Sequence, residues 1–167
     1  MKKFLLILNI VLSFQYSSSQ NMTNETLGDI IQTVSDSVQG TNGRWQFSIQ
    51  ETLLICLTDS TNNRMRIISP IMESFKLTDE LKTLSLSANF HTALDVKYAI
   101  SDDVLWSVFT HPLRELSDDE VQSAISQVYY ANVNFGTTFA STSLVFPGHQ
   151  REEEPEKKKT RIIKEKF

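Results

Sequence analysis

The sequence predicts an α+β fold in which a five-stranded antiparallel sheet packs with about three helices. Three segments carry apolar residues at helical spacing, which is typical of amphipathic helices. Between the first two segments, three short runs have the length and composition of strands. Between the last two, a tight acidic turn joins two apolar runs as in a hairpin. The predicted order is helix, three strands, helix, hairpin, helix.

The first helix is predicted to begin at a cap on Asn24 and to end at Gly40. Its apolar positions are Leu27, Ile30, Ile31, Val34 and Val38. Three strands follow, over residues 45–49, 53–58 and 65–71. Pro70 is expected to limit the third of them to an edge or to a strand end, because proline cannot donate a hydrogen bond to a neighbour.

The second helix is predicted to begin after a Thr78 cap. Its apolar positions are Leu81, Leu84, Leu86 and Phe90. The last helix should begin at Ser117, whose side chain forms a capping box with Glu120, and Gly136 is expected to weaken or end it. One side of this helix carries Val121, Ile125, Val128, Asn132, Phe135 and Phe139.

A turn at Asp102-Asp103 fixes the register of the hairpin between the second and third helices. Ile100 then pairs with Leu105, Tyr98 with Ser107 and Val96 with Phe109. Because cross-strand partners share a face, two faces can be assigned. The first face carries Val96, Tyr98, Ile100, Leu105 and Phe109. The second carries Val104, Trp106 and Val108 with Lys97 and Ala99, and we expect it to expose the indole as a surface for a partner or for self-association.

Both ends of the chain differ in composition from its middle. Residues 1–20 resemble a signal peptide, since a basic start precedes a short apolar run and small residues, although a retained anchor is the alternative. Residues 21–148 are predicted to form one domain and residues 149–167 a charged, disordered tail. From Gln20 to Gln150 the chain holds 7 basic and 15 acidic residues, which argues against a nucleic-acid surface.

Few residues suggest catalysis or metal binding. His91 and His111 are the candidate general bases, with Asp95, Asp102 and Asp103 as carboxylates, but isolated histidines form no recognisable triad. Common zinc and calcium motifs are lacking, and turn and cap chemistry explains the acidic residues. The single cysteine, Cys56, lies in an apolar run and is expected to be buried. We therefore predict no catalytic residue, no metal and no cofactor.

Several short motifs in order give the chain a family resemblance. Ser87-Ala88-Asn89 precedes the hairpin, Lys97-Tyr98-Ala99-Ile100 and Leu105-Trp106 form it, and His111-Pro112-Leu113 leads to the Leu116–Glu120 cap. In these features the chain resembles the type III secretion chaperone-like fold, especially its YbjN-like branch. The resemblance implies a small α+β protein that dimerises and binds protein segments without catalysis. It implies a cytoplasmic chaperone, whereas the predicted signal peptide implies export.

The sequence thus predicts a non-enzymatic, exported protein-binding module, periplasmic or extracellular and homodimeric, in a bacterium. Its partner would be an apolar protein segment or a second subunit on Val104, Trp106 and Val108, with main-chain pairing at a sheet edge. One alternative is an envelope sensory or small-ligand-binding module with a pocket between the last helix and the sheet. Another is a hydrolase centred on His91 or His111.

Overall fold

The computed structural model describes residues 21–142. The predicted signal peptide, residues 1–20, the predicted tail, residues 149–167, and residues 143–148 of the predicted domain lie outside the described residues. The helices are α1 (Asn24–Val34), α2 (Asp79–His91) and α3 (Asp118–Val133). The strands are β1 (Ser37–Thr41), β2 (Arg44–Ile49), β3 (Thr52–Asp59), β4 (Arg64–Glu73), β5 (Lys97–Ser101) and β6 (Val104–His111). Between residues 21 and 142, no helix has the length and apolar character that crossing a membrane requires.

The strands form one antiparallel sheet in the order β1-β2-β3-β4-β6-β5. The α+β class and the three helices are confirmed, but the sheet in the described residues has six strands, so the predicted number of five is wrong. α1 and α3 contact each other and the sheet, and together they bury its apolar face. The centre of that face includes Phe47, Leu54 and Ile67, each at most 1% exposed.

The additional strand, β1, lies where the sequence predicted the end of the first helix. α1 ends at Val34, and the Ser35 N–H caps it by donating to the Ile31 carbonyl. After β1, a two-residue turn at Asn42-Gly43 leads into β2, and both turn residues have positive φ, 52° and 84°. This backbone matches the twist of a two-residue hairpin, so residues 37–41 pair with β2.

The first helix also begins one residue earlier than predicted. The Thr23 side chain is the cap and accepts a hydrogen bond from the Thr26 N–H, whereas Asn24 is the first helical residue. The Asn24 Oδ1 atom instead accepts from the Thr58 hydroxyl at 2.7 Å, which ties the start of α1 to the end of β3.

Pro70 lies inside the sheet rather than on an edge strand. The pairing of β4 with β3 stops at Ile68, and the register with β6 shifts between Pro70 and Met72. A bulge tolerates proline because the ladder is already interrupted there. Near Pro70, β4 therefore stops pairing with β3, as expected for a strand end, but it continues to pair with β6 as far as Glu73.

Four polar contacts join α3 to the sheet. The Asn132 amide donates to the Ser69 hydroxyl at 2.6 Å and to the Pro70 carbonyl at 2.8 Å. The Ser107 hydroxyl donates to the Val128 carbonyl, and the Tyr98 hydroxyl to the Ala131 carbonyl. Asn132 is the polar exception on the buried side of α3 because its amide hydrogen-bonds to polar groups of β4 at the bulge.

The predicted capping box of α3 is present. The Ser117 N–H and hydroxyl donate to Glu120, while the Glu120 N–H donates to the Ser117 hydroxyl. α3 ends at Val133, before Gly136, whose φ is 79°. The hydrogen bonds from Ser117 hold the pKa of the Glu120 carboxyl below its ordinary value. A lowered folded-state pKa means that this carboxylate stabilises the fold above the unfolded-state pKa and loses that effect as the pH falls through the folded-state value.

We therefore expect Glu120→Gln to destabilise the protein at pH 7 and the difference from wild type to shrink towards pH 4. Urea unfolding at both pH values measures it. Asp119→Asn is the matched control, because it removes a charge from the same helical turn and leaves the capping box in place. A difference that is equally large at both pH values would contradict the assigned role of the Glu120 carboxylate.

Candidate protein-binding surfaces

The side of the sheet opposite α1 and α3 carries a band of apolar side chains. Successive residues of a strand point to opposite faces, so the positions between the buried residues of β3, β4 and β6 point away from the core. We call this band the open face. It consists of Leu53, Ile55, Leu57, Ile68, Pro70, Val104, Trp106 and Val108.

The strand register arranges the open face in rows across the sheet. In one row Ile55 lies opposite Ile68, which lies opposite Val108. In a neighbouring row Pro70 lies opposite Trp106, which lies opposite Ala99 on β5. Cross-strand neighbours of this kind are in side-chain contact, so the rows form one continuous apolar surface.

Trp106 lies on this surface, on the face that the sequence predicted. Its side chain is half-buried, and its indole N–H donates to the Ser101 carbonyl at 3.1 Å. The predicted pairs Ile100–Leu105 and Tyr98–Ser107 are both present, and Val104 and Val108 flank Trp106 on the same face. On the buried face, Ile100 departs from the expectation because it is 53% exposed. That Val104, Trp106 and Val108 bind a partner remains a prediction.

A second exposed apolar surface lies on α2, where three of the four predicted apolar positions lie outside the core, while Leu81 is partly buried and packs against it. Ser85 and Ala88 are the buried residues of this helix, whereas Phe90 is 85%, Leu86 70% and Leu84 43% exposed. We call these three side chains together with Ile100 the α2 ridge. Apolar spacing on α2 indicated a buried stripe, but the small residues between the large ones face the sheet.

A groove of about 330 Å³ lies beside the α2 ridge. Its wall is mainly apolar and is formed by Leu77, Lys82, Ser85, Leu86, Tyr98, Ala99, Ile100 and Leu105. A protruding phenyl ring thus lies on the same helix as an apolar groove, an arrangement in which two copies of one surface can be complementary.

The two edges of the sheet differ in accessibility. At the β5 edge the Asn89 amide donates to the Tyr98 carbonyl, and its oxygen accepts from the Tyr98 N–H at 2.7 Å. An incoming strand would need those main-chain groups, so α2 blocks this edge at Tyr98. β1 forms the other edge, and main-chain pairing with a partner is more accessible there.

The structure does not bring the two candidate histidines into one site. His91 is the last residue of α2, with its ring 4.8 Å from that of Phe90, and it lines a different pocket from His111. His111 ends β6, stacks on Phe109, and has its Nδ1 atom 2.8 Å from the Pro112 carbonyl oxygen. Asp95 shares the His111 pocket and bonds Gln127.

The remaining candidates have structural roles. Asp102 and Asp103 both have positive φ in the β5–β6 turn, as the turn prediction requires. Cys56 is buried, and this burial raises the pKa of its thiol to about 12, so it is a poor nucleophile near neutral pH. Within residues 21–142 no group of three or more His, Cys, Asp or Glu side chains is placed to hold a metal ion.

The fold resembles solved type III secretion chaperones. One match is in the HopA1–SchA chaperone–effector complex, with a TM-score of 0.52, 11% identity, and coverage of 65% of this chain and 88% of that chain. Another is the Yersinia pestis type III secretion chaperone SycH in complex with a stable fragment of YscM2, with a TM-score of 0.52, 10% identity, and coverage of 67% and 98%. At these identities the likeness establishes a chaperone-like fold alone.

Comparisons with family models and with curated proteins found no match to this chain. Membership of the YbjN-like branch therefore stays a prediction from the sequence motifs.

Proposed function

We propose that this chain is a non-enzymatic protein-binding module whose open face holds an apolar segment of a partner protein. The observation that carries the proposal is the continuous apolar surface around Trp106, on the side of the sheet that α1 and α3 leave uncovered. The fold supports it, because both chaperone structures that it resembles contain a second protein, an effector or a fragment of YscM2. The leader-like residues 1–20 support export to the periplasm or the exterior.

Replacing Trp106 with glutamate is expected to abolish capture of the partner, because a charge would then lie within the apolar surface. Envelope extract passed over the immobilised wild-type protein identifies a stoichiometric partner, and titration with that purified partner measures affinity.

The second tryptophan, Trp45, is buried. In a Trp45→Phe background, the emission of Trp106 should shift to shorter wavelength as the partner covers it.

Ser126→Glu is the matched control, since it adds the same charge at an exposed position of α3, on the other side of the sheet. Both variants should keep the circular dichroism spectrum of the wild type. Two results together would reject the open face as the binding surface. They are equal partner affinity in wild type and Trp106→Glu, and no change in Trp106 emission when the partner is added to Trp45→Phe.

We also propose that two copies associate through the α2 ridge as a homodimer. In a two-fold contact, Phe90 of each copy would occupy the apolar groove beside Leu86 and Ile100 of the other. This arrangement removes Phe90, the most exposed large apolar side chain of the described residues, and Leu86 from water, and it leaves both open faces accessible to partners.

A sensory or small-ligand module is a second candidate function, favoured by one cavity. It measures about 370 Å³ and lies between α3 and β6, with Asp95, Lys97, His111 and Glu120 in its wall. A small polar molecule that co-purifies with the wild type and is lost in His111→Ala would favour this function over protein binding.

A further inference from the structure

The apolar open face ends at two arginines that lie on either side of one leucine. Arg44 on β2 is opposite Leu57 on β3, and Leu57 is opposite Arg66 on β4. Strands are about 4.8 Å apart, so the backbones of the two arginines are about 10 Å apart. Both arginines are exposed, and Leu57 between them is 38% exposed.

These two guanidinium groups have no carboxylate partner within residues 21–142. The ion pairs of that part of the chain are Lys76–Glu73 and Lys82–Asp79, which lie elsewhere. Other cations near the open face bond main-chain carbonyls. Arg64 donates to the Asn63 carbonyl, and the Lys97 ammonium donates to the Asn89 and Leu94 carbonyls. Arg44 and Arg66 are thus available cations on a chain whose body is acidic.

The arginine pair continues directly from the apolar rows. Ile55, Ile68 and Val108 form the row next to that of Leu57, on the same face of the sheet. A segment that covers Ile68 with an apolar side chain therefore places a residue one or two positions away above Leu57. That residue would lie between two guanidinium groups, which bind carboxylates through paired, charge-assisted hydrogen bonds.

The size of the open face fits a segment better than a globular surface. Three adjacent strands and about four rows of side chains span roughly 15 Å by 20 Å, or about 300 Å². A standard protein interface buries about 800 Å² on each partner. A single extended segment matches the smaller area, whereas a second copy of this chain would need more contact.

We infer that the segment bound on the open face carries one or two aspartates or glutamates immediately beside its apolar residues, and that Arg44 and Arg66 bind them. This inference rests on the proposed function, because it assigns the chemistry of the partner at that same surface.

The test uses three synthetic peptides that share an apolar core and are flanked by Asp-Glu, by Asn-Gln or by Lys-Lys. Each fluorescein-labelled peptide is titrated into wild type, Trp106→Glu, the Arg44→Gln/Arg66→Gln double variant and Arg64→Gln. We expect wild type to bind the acidic peptide about three- to tenfold more tightly than the amide peptide at low salt, and the lysine peptide least tightly. The double variant and 1 M salt should each remove this preference. Arg64→Gln is the matched control and should keep it.

Two further outcomes distinguish a failure of the carboxylate inference from a failure of the proposed function. If wild type binds the acidic and amide peptides equally, and Trp106→Glu weakens both, the carboxylate inference is wrong while the open face remains a binding surface. If Trp106→Glu leaves all three affinities unchanged, the proposed function is wrong and the inference falls with it. Thermal unfolding of each variant shows that the comparisons concern folded protein.

Discussion

Phe90→Glu is expected to dissociate the proposed homodimer into monomers. The phenyl ring is 85% exposed on α2, so in the proposed dimer it would move from water into the groove of the second copy. A carboxylate at this position would lose its hydration on entering the groove, which costs several kcal/mol for an unpaired charge. Multi-angle light scattering of the full domain over a range of concentrations measures the change in mass.

Ser126→Glu, at an exposed position of α3 away from the α2 ridge, is the control and should remain dimeric. Trp106→Glu should remain dimeric as well, because the open face and the α2 ridge involve different side chains. A wild type that is monomeric at all concentrations, or a Phe90→Glu variant that keeps the dimer mass, would show that the α2 ridge does not join two copies.

Gly40→Ala is expected to destabilise the fold by about 1–3 kcal/mol, the usual cost of forcing a residue with a side chain into a sparsely populated backbone region. Gly40 has a φ of 99°, and an added Cβ would collide with the carbonyl oxygen of Arg44 on β2. The sign of the effect distinguishes strand from helix at this position. In a helix, the same exchange would stabilise the protein by up to about 1 kcal/mol.

Urea unfolding of Gly40→Ala and Gly28→Ala measures the contrast. Gly28 lies within α1, and a Cβ there would meet the Trp45 ring at an ordinary contact distance of 3.4 Å. Gly28→Ala should therefore be neutral or stabilising. A stabilised Gly40→Ala variant would show that residues 37–41 continue the helix and do not form β1.

Local signals predicted most of the fold. The capping box at Ser117, the hairpin register around Asp102-Asp103 and the alternation of Trp45 and Phe47 each depend on neighbours in sequence, and each is present. β1 was missed because Val34 and Val38 continue the helical spacing, while the turn at Asn42-Gly43 was not recognised. Tertiary pairing with β2 overrides the helical pattern there.

The sequence predicted the candidate site in part. The hairpin register placed Val104, Trp106 and Val108 on one face, but rows across β3, β4 and β6 exist only once the order of the strands is known. The α2 ridge was missed because periodicity identifies an apolar face without showing what covers it. Arg44 and Arg66 are 22 positions apart, and the pairing of both with Leu57 brings them together.

The hydrogen bonds between Asn89 and Tyr98 limit how such molecules could join strand to strand. A sheet that extends without limit would require β1 of one molecule to pair with β5 of the next. The outer edge of β5 is blocked at Tyr98 by Asn89. The β1 edge can then pair only with the β1 edge of a second molecule. The resulting sheet would have twelve strands and could not extend further. One asparagine side chain thereby opposes unlimited strand-to-strand extension of the sheet at the β5 edge.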